Sequence, residues 1–245
     1  MGELIASFHK AKIDLEVIKE LKSGKDADLF LVRDVTDPDD PKSLVLKVYK
    51  TIADVTLNRF NPYLVGRTFT GNYSKVIQSS TKRGKKFIAD LRVKREFNQL
   101  KKLNKYTDLL PKPIKTLENT ILMEFIGEND IPAKRLDELN LSSTESKQVL
   151  AQLIEFITQM TSIDLVHGDL SPFNILYHQG KIYVIDFPQT VDLTTNPDWI
   201  KFYDRDTENV LKYFRNLLDA VEIDKAREQL EKLKESVVER LVYNL

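Results

Sequence analysis

The chain has 245 residues, with 37 basic and 37 acidic side chains and a formal net charge of zero. This balance gives no overall signal for binding nucleic acid or a membrane surface. The sequence contains no Cys and only three His, which excludes disulfides and thiolate metal sites and disfavours a His-rich metal centre. No apolar run approaches the roughly 20 residues that a membrane helix needs, so we expect a cytoplasmic protein without a membrane partner.

The beginning of the sequence indicates strands. Apolar stretches within residues 13–33 flank a polar, glycine-containing break at residues 23–26, which is typical of a turn between two strands or between a helix and a strand. Residues 44–50 alternate between apolar and polar side chains, include two β-branched residues, and predict a further strand. Lys47 lies in the middle of that strand.

Residues 51 to about 90 show little periodicity, and we predict a flexible insertion there. Apolar residues recur at helical spacing over residues 87–103, so a helix should follow. The interval 75–105 holds eleven basic residues, opposed only by Asp90 and Glu96. Such a stretch is either a solvated loop and helix face or an anion-facing surface for nucleic acid or a phosphorylated partner.

The second half favours helices and one hairpin. Ser142, followed three residues later by Glu145, forms a capping-box signature ahead of an apolar helical face at residues 149–160. The run "NILYHQGKIYVIDF" predicts a β-hairpin with Gln179 and Gly180 near its turn. Helical patterns follow up to the last residue.

The order of these elements predicts an α+β fold with a small β-rich N-lobe and a helical C-lobe. We place the N-lobe, with its insertion, at residues 1–123 and a hinge and connector at residues 124–140. The C-lobe, with the predicted catalytic and metal loops, takes residues 141–245.

Several polar positions suit phosphoryl transfer, which needs a Lys to position phosphates, metal ions to hold them and a carboxylate near the attacking hydroxyl. Asp169 and Asn174 lie five residues apart, which is the spacing of a protein-kinase catalytic loop. Asp186 follows across the predicted hairpin, and with Asn174 it offers hard oxygen ligands for Mg²⁺. Lys47 matches the phosphate-contacting Lys, and Glu96 on the next helix can pair with it.

Each of these residues also has a purely structural explanation. A strand residue such as Lys47 can extend to solvent at a sheet edge, and Glu96 can be an ion-pair partner within its helix. Asp169 and Asn174 can each cap a turn. His167 fits a structural hydrogen-bonding role better than that of a general base. The ordered combination favours the phosphoryl-transfer site over a set of coincidences.

The run "HGDLSPFNILYHQGKIYVIDFPQTVD" resembles the RIO family of atypical protein kinases and ATPases. The segments "LKVYK", "KREFNQLKKL", "LMEFIG" and "IPAKRL" resemble the same family's lysine strand, first lobe helix and hinge region. The likeness runs from about Ser23 to Asn216. It implies a bilobal, protein-kinase-like α+β fold with a small antiparallel sheet in the N-lobe and a trimmed, mainly helical C-lobe.

Two features bear on the subfamily. The long span that contains "NPYLVGRTFTGNYSK" is similar to the first RIO subfamily, whereas "IDFPQ" and "YDRD" are similar to the second. The second subfamily begins with a winged-helix domain, and only 22 residues precede Ser23. We therefore expect a protein of the first-subfamily type.

The resemblance also implies how ATP is held. Its phosphates are expected near Lys47 and near the loop that carries Ser23, Gly24 and Lys25. The adenine site is expected at Met123, at the backbone groups of Glu124 and Ile126, and near Pro132. The helix residue Glu96 is expected to pair with the lysine.

In the C-lobe, the resemblance implies that Asp169 is the catalytic acid or base and that Asn174 and Asp186 hold Mg²⁺, or Mn²⁺ in its place. It also implies an aspartyl-phosphate on Asp186 during ATP turnover. Autophosphorylation of the flexible loop is a further family trait, with these local candidates: Ser74, Ser79, Ser80 and Thr81. The family acts in maturation of the small ribosomal subunit, and the basic 75–105 stretch suits a pre-ribosomal or rRNA partner.

The sequence departs from ordinary kinases, and other functions share its motifs. Gly168 replaces the Arg of H-R-D, so we expect no Arg contact to a phosphorylated activation loop, and "DFP" replaces D-F-G. Only 59 residues follow Asp186, so we expect no generic peptide-docking platform. A tRNA-modification kinase or an antibiotic phosphotransferase also has an HGDL-type loop, but the insertion and "FPQ" argue against both. A nucleotide-dependent assembly scaffold without turnover is disfavoured by the intact Lys47, Asp169 and Asn174 together with Asp186. Nothing in the sequence resembles a dedicated nucleic-acid-binding module.

Overall fold

The computed structural model describes residues 1–50 and 82–243. These residues form two compact units. The first comprises the described residues of Met1–Lys102 and Pro111–Pro132, and the second comprises the described residues of Leu103–Leu110 and Ala133–Leu245. The lobe and hinge boundaries drawn from the sequence stay predictions.

The first unit is built on a five-stranded antiparallel sheet with the strand order β1-β2-β3-β5-β4. Its strands are β1 Leu15–Ser23, β2 Ala27–Asp34, β3 Lys42–Tyr49, β4 Pro113–Leu117 and β5 Thr120–Glu124. The central strand β3 carries Lys47, which pairs with Leu29 on one side and Ile121 on the other. A central strand positions a side chain more firmly than an edge strand does, because its backbone is hydrogen-bonded on both sides.

The N-terminal helix α1, Gly2–Lys10, covers this sheet. Its Phe8 is fully buried and joins an apolar cluster contributed by four strands: Leu15, Val32, Leu44, Leu46 and Leu122. Burial of such side chains contributes roughly 25 cal/mol per Å² of apolar surface, so this cluster stabilises the strand that carries the predicted site lysine.

Helix α2, Lys82–Leu103, begins within the predicted 51–90 insertion, and the rest of that insertion lies outside the described residues. Its buried apolar positions recur at helical spacing: Val93, Leu100 and Leu103. Glu96 shares this face and is only 2% exposed. A carboxylate on a buried helix face requires a partner, because an isolated buried charge is very costly.

A short hairpin follows β5, with β6 Gly127–Glu128 paired to β7 Ile131–Pro132. Its two turn residues, Asn129 and Asp130, both have positive φ, at 51° and 60°. Two positive φ values are the mark of a type I′ turn. The carboxylate of Asp130 accepts hydrogen bonds from Arg33 at 2.5 Å and Ser43 at 2.8 Å, which ties the hairpin to the sheet.

The second unit is mainly helical, with α3 Ser143–Ser162, α4 Trp199–Phe214 and α5 Ala220–Tyr243. Helix α3 begins with the predicted capping box, in which Ser142 and Glu145 exchange hydrogen bonds. Short antiparallel strands accompany the helices: β8 Lys134–Arg135, β9 Leu165–Val166, β10 Ile175–His178, β11 Lys181–Val184 and β12 Val191–Asp192.

Strands β10 and β11 form the predicted hairpin, and β8 pairs with the other edge of β10. Gln179 and Gly180 occupy its turn with φ values of 50° and 80°. Strand β9 pairs with β12, so the loop after β9 is tied to the segment that follows the hairpin. Together, the sheet-based unit and the helical unit make the α+β class that the sequence predicts.

Candidate functional site

The predicted site residues fall in both units. The turn between β1 and β2 carries Ser23, Gly24 and Lys25. The backbone N–H of Gly24 donates to the carbonyl oxygen of Ala27 at 3.0 Å. A Cβ atom at Gly24 would lie 2.9 Å from that oxygen, so the tight turn excludes larger residues. Lys25 is exposed beside it.

The Ser23 end of this turn is held by side chains. The Ser23 hydroxyl donates to Asp28 at 2.6 Å, and Lys50 pairs with the same Asp28 oxygen at 3.0 Å. The Ser23 hydroxyl, and secondarily Lys50, lower the pKa of Asp28, so this carboxylate is charged at neutral pH. The hydroxyl of Ser23 is therefore already engaged, and the turn's contribution to an anion site would come from Lys25 and backbone N–H groups.

Lys47 and Glu96 form the ion pair that the sequence predicts. The Lys47 ammonium lies 2.8 Å from Glu96 Oε1, and the two residues are only 9% and 2% exposed. Removing one partner of such a buried pair generally costs about 3–5 kcal/mol, because the other charge stays buried. The pair explains why a charged residue occupies the apolar face of α2.

The predicted adenine-site residues lie at the end of β5 and in the hairpin after it. Met123 and Glu124 end the strand, and Ile126 is buried, whereas Pro132 is exposed on β7. The N–H of Glu124 donates to the carbonyl oxygen of Lys112 at 2.9 Å. A backbone contact of Glu124 with a ligand would therefore use its carbonyl oxygen.

In the second unit, residues 167–174 form a loop between β9 and β10, called the Asp169 loop below. Its last residues, Pro172–Asn174, form a 3₁₀ turn. The side-chain amide of Asn174 donates to the backbone oxygen of Asp169 at 2.9 Å and approaches the Asp169 carboxylate at 3.5 Å. These contacts bring the two residues together, as their spacing predicts.

Asp186 lies beside the same loop. The neighbouring N–H of Ile185 donates to the backbone oxygen of Asn174 at 2.9 Å, because the β10–β11 hairpin folds the chain back. Asp186 is exposed and has a positive φ of 69°, a conformation that non-glycine residues rarely adopt. Its charge reaches Asp169, whose pKa is raised mainly by burial and further by Asp186. The structure thus gathers Asp169, Asn174 and Asp186 in one cluster.

His167 behaves as a structural residue. Its ring is buried, its Nε2 atom lies 3.3 Å from the carbonyl oxygen of Ile185, and it packs against Phe187. Burial lowers the pKa of His167 to about 4, so it is neutral at pH 7. This agrees with the structural role that the sequence favours.

Helix α4 holds the Asp169 loop through residues that motif reasoning missed. Asp206 is 3% exposed and accepts backbone N–H bonds from Gly168 at 2.6 Å and from Leu170 at 2.9 Å. The side chain of Asn209 donates to the Leu170 oxygen at 3.2 Å, and Arg205 donates to the Gly168 oxygen. The helix therefore satisfies the backbone on both sides of Asp169.

Burial raises the pKa of Asp206 to about 7, although both backbone N–H bonds favour its charged form. Two sequence signals point to these residues: the family-like "YDRD", which ends with Arg205 and Asp206, and the spacing of Asp206 and Asn209, three residues apart on a helix. That spacing places them on one face but does not indicate what they contact.

A further missed residue, Gln189, explains why a glycine occupies position 168. Gly168 has a φ of +80°, and a Cβ atom there would lie 2.4 Å from the carbonyl oxygen of Gln189. The Arg of ordinary kinases therefore does not fit at this position without moving the chain. The side chain of Gln189 also donates to the Asp169 carboxylate at 3.2 Å.

Comparisons with known proteins show the family of this chain. A model of the RIO domain matches residues 29–227. The chain belongs to the RIO family. It is 31% identical to the human serine/threonine-protein kinase RIO1 over 196 residues, which make up 79% of this chain and 32% of the human protein. It is 32% identical to the RIO-type serine/threonine-protein kinase Rio1 of Thermoplasma acidophilum over 145 residues, which make up 59% of this chain and 75% of that protein.

Among solved structures, the crystal structure of the Chaetomium thermophilum Rio2 kinase–ADP/Mg²⁺–phosphoaspartate complex is similar, with a TM-score of 0.63. The match has 20% sequence identity and covers 100% of this chain and 76% of that one. The predicted protein-kinase-like fold is therefore confirmed. The chain spans about a third of the length of the human relative.

Among residues 1–50 and 82–243, none of the helices is long and apolar enough to span a membrane.

Proposed function

We propose that this RIO-family chain is a Mg²⁺- and ATP-dependent atypical serine/threonine protein kinase and ATPase. One observation carries the proposal: Asp169, Asn174 and Asp186 lie in one cluster. The Asn174 amide donates to the Asp169 backbone oxygen at 2.9 Å, and Ile185, the residue before Asp186, donates its N–H to the Asn174 backbone oxygen at 2.9 Å. Relatives named serine/threonine-protein kinases support the same chemistry. Phosphoryl transfer depends on positioning and on neutralising charge, and this donor set suits both tasks.

At the phosphate end, Lys47 is the proposed cation, held by Glu96 at 2.8 Å. The turn with Gly24 and Lys25 is proposed to face the phosphates, because a tight glycine turn exposes backbone N–H groups to anions. The adenine ring is assigned to Met123, to the backbone groups of Glu124 and Ile126, and to Pro132 nearby.

Asp169 is proposed to accept the proton of the attacking hydroxyl while the hydroxyl oxygen bonds to the γ-phosphorus. The raised pKa of Asp169, caused mainly by burial, suits this role because a stronger base takes a proton more readily. The Asn174 amide and the Gln189 amide both approach its carboxylate and orient it. The bond from the γ-phosphorus to ADP breaks, and the proton remains on Asp169 until solvent removes it.

The protein ligands of Mg²⁺ are proposed to be Asn174 and Asp186, and their donor atoms fit that ion. The amide nitrogen of Asn174 is directed to Asp169, so its oxygen is the atom left for a metal. Within the described ranges, no group of three or more His, Cys, Asp or Glu side chains is arranged to hold a metal ion. One carboxylate and one amide oxygen match Mg²⁺, which usually takes the rest of its ligands from phosphate and water, and Mn²⁺ has similar preferences. When bound, Mg²⁺ supplies positive charge against the phosphate oxygens.

Two finer features belong to the same proposal. The Rio2 structure contains a phosphoaspartate, and we extend this to Asp186, which is exposed: a carboxylate oxygen of Asp186 would bond to the γ-phosphorus as the bond to ADP breaks, and water would later hydrolyse the phosphoaspartate. Autophosphorylation is proposed at residues that all lie outside the described ranges: Ser74, Ser79, Ser80 and Thr81.

The proposed setting is maturation of the small ribosomal subunit in the cytoplasm. The basic 75–105 stretch is the physical support, because rRNA is a polyanion whose binding releases counterions. Residues 75–81 of this stretch lie outside the described ranges, and the rest belongs to α2 and the residues just after it.

Steady-state ATP turnover tests the role of Asp169. We expect Asp169→Ala to reduce turnover by roughly 10²–10⁴-fold, the usual share of positioned acid–base catalysis. Asp198→Ala is the matched control, because that aspartate pairs with an exposed lysine, Lys201, on the surface. Parent-like turnover by a folded Asp169→Ala protein would place the base elsewhere. ATP binding without turnover by the parent would favour the scaffold alternative.

A further inference from the structure

Tyr49 contacts the Lys47–Glu96 pair directly. It ends β3, is only 2% exposed, and donates its hydroxyl to Glu96 Oε2, whereas Lys47 occupies Oε1. Both carboxylate oxygens therefore have a donor. A carboxylate held at one oxygen can still rotate about its last side-chain bond, and a second donor on the other oxygen restrains that rotation.

The main chain of Tyr49 is also held on both polar groups. Its N–H donates to the carbonyl oxygen of Asn119 at 2.9 Å, and its own carbonyl oxygen accepts from the Asn119 side chain at 2.6 Å. The phenol is thus presented from a backbone position that the β4–β5 turn holds in place.

The Tyr49 ring has two cations near it. The Lys47 ammonium lies 5.1 Å and the Arg92 guanidinium carbon 5.3 Å from the ring centroid. Cations within about 6 Å of an aromatic face are attracted to it. Arg92 continues to Asp26 through a 2.8 Å hydrogen bond. Asp26 belongs to the turn that carries Gly24, so Tyr49 connects that turn to the ion pair.

The sequence pattern explains this arrangement. Lys47 and Tyr49 are two residues apart on a strand and therefore share a face. Arg92 and Glu96 are four residues apart on α2 and also share a face. The strand presents a cation and a phenol, and the helix presents a cation and a carboxylate.

We propose that Tyr49 is a positioning residue of the phosphate-binding lysine, acting through Glu96. Its hydroxyl fixes the Glu96 carboxylate so that Oε1 stays directed at Lys47, and its ring orders Arg92 against the β1–β2 turn. This proposal rests on the proposed function, because it concerns the lysine assigned there to the ATP phosphates.

Tyr49→Phe tests the hydroxyl, because it keeps the ring and both cation contacts. We expect kcat for ATP turnover to fall by about ten-fold or more, the usual effect of losing a hydrogen bond to a charged group, with a smaller change in KM for ATP. Tyr213→Phe is the matched control, since it removes a 2.8 Å hydrogen bond to the carbonyl oxygen of Leu136 from a partly buried tyrosine. Equal kcat for Tyr49→Phe and Tyr213→Phe would overturn the proposal.

A double-mutant cycle separates positioning from general destabilisation. If Tyr49 acts through Glu96, Tyr49→Phe has little further effect on kcat in a Glu96→Gln background. If the fold-decreases in kcat of the two single variants multiply in the double variant, the phenol acts independently of Glu96, which would contradict the proposal.

A readout that needs no turnover distinguishes this proposal from the proposed function. Lys47 acylation by a small amine-reactive reagent, followed by mass spectrometry, reports how firmly its ammonium is held. We expect a several-fold faster reaction in Tyr49→Phe than in the parent and in Tyr213→Phe. If Lys47 is acylated faster in Tyr49→Phe but the parent does not turn over ATP, the positioning role stands and the proposed function is wrong. If the parent turns over ATP but Tyr49→Phe changes neither the acylation rate of Lys47 nor kcat, the positioning role is wrong and the proposed function stands.

Discussion

Glu96 and Asp206 are both nearly fully buried, at 2% and 3% exposure, and the protein accommodates them in different ways. Glu96 is balanced by a cation, Lys47, and by the hydroxyl of Tyr49. Asp206 accepts backbone N–H groups of the Asp169 loop, and burial raises its pKa to about 7.

The type of partner determines what each buried carboxylate holds in place. A carboxylate balanced by a cation keeps that cation in place, which suits a lysine that must meet phosphates. A carboxylate bound to backbone N–H groups fixes the path of a loop without needing a cation as its partner. The first arrangement depends on its partner side chain, and the second depends on the loop conformation and on pH.

The largest effect is expected from breaking the Glu96 arrangement. Lys47→Met should lower the free energy of unfolding by about 3–5 kcal/mol, because the Glu96 charge stays buried without its cation. Urea denaturation measures this change. The control is Lys42→Met on the same strand, whose pair with Asp40 is exposed and whose loss should cost less than about 1 kcal/mol. Similar losses in the two variants would show that the cation does not stabilise Glu96.

A smaller loss is expected at Asp206. Asp206→Asn keeps one acceptor oxygen but turns an amide N–H₂ toward the other backbone donor, so one buried N–H is left unpaired. Such a group costs about 1–3 kcal/mol, and urea denaturation at pH 8 measures the loss. Asp204→Asn on the same helix is the control, because Asp204 is half exposed and pairs with Lys234 at the surface. An unchanged Asp206→Asn protein would contradict the role of this side chain in holding the loop.

Asp206 also makes the free energy of unfolding depend on pH. Because burial raises the pKa of Asp206 from 3.8 to about 7, the folded chain keeps a proton in this range that the unfolded chain has released. The contribution of Asp206 to stability is therefore complete in acid and is lost as the pH rises to about 7. His167 acts oppositely, since its pKa is lowered from 6.5 to about 4 and its contribution is lost as the pH falls through that range.

Comparing the parent with Asp206→Asn removes the shared His167 contribution. The difference in unfolding free energy should narrow as the pH rises from about 4 to about 7, by no more than about 1.4 kcal/mol per pH unit. A pH-independent difference would show that Asp206 does not titrate in this range.

The smallest effect is expected at Gln189, whose amide donates to Asp169 from an exposed position. Gln189→Ala removes a donor that favours the charged carboxylate, so the pKa of Asp169 should rise further. The acid limb of the kcat/KM profile for ATP should move to higher pH. Gln159→Ala, which alters an exposed contact with Glu155, should leave the profile unchanged. A downward shift for Gln189→Ala would contradict the donor role.

Much of the fold was predictable because it follows local patterns. The capping box at Ser142 and Glu145 marked the start of α3, and Gln179 with Gly180 marked the hairpin turn. The contact of Lys47 with Glu96 followed from the phosphoryl-transfer pattern, in which a strand lysine pairs with a helix carboxylate, although apolar periodicity alone would not place a carboxylate on a buried helix face.

The contacts of Asp206, Asn209 and Gln189 were not predictable in the same way. Each binds residues about 20 to 40 positions away, and two of the three bind backbone atoms. Hydrogen bonds to the backbone leave no complementary residue type in the sequence, so only the folded chain shows them. The reason for Gly168 is of the same kind, because the atom that excludes a side chain is a carbonyl oxygen.

The central claim is that the cluster of Asp169, Asn174 and Asp186 carries out Mg²⁺-dependent phosphoryl transfer. The most direct test is turnover of ATP labelled at the γ-phosphate, which follows free phosphate, acid-stable protein label and hydroxylamine-labile protein label in the parent and in Asp186→Ala. We predict Mg²⁺-dependent release of phosphate and a hydroxylamine-labile label in the parent, and neither in a folded Asp186→Ala protein. Equal turnover in the two proteins, or no turnover in a parent that binds ATP, would contradict the claim.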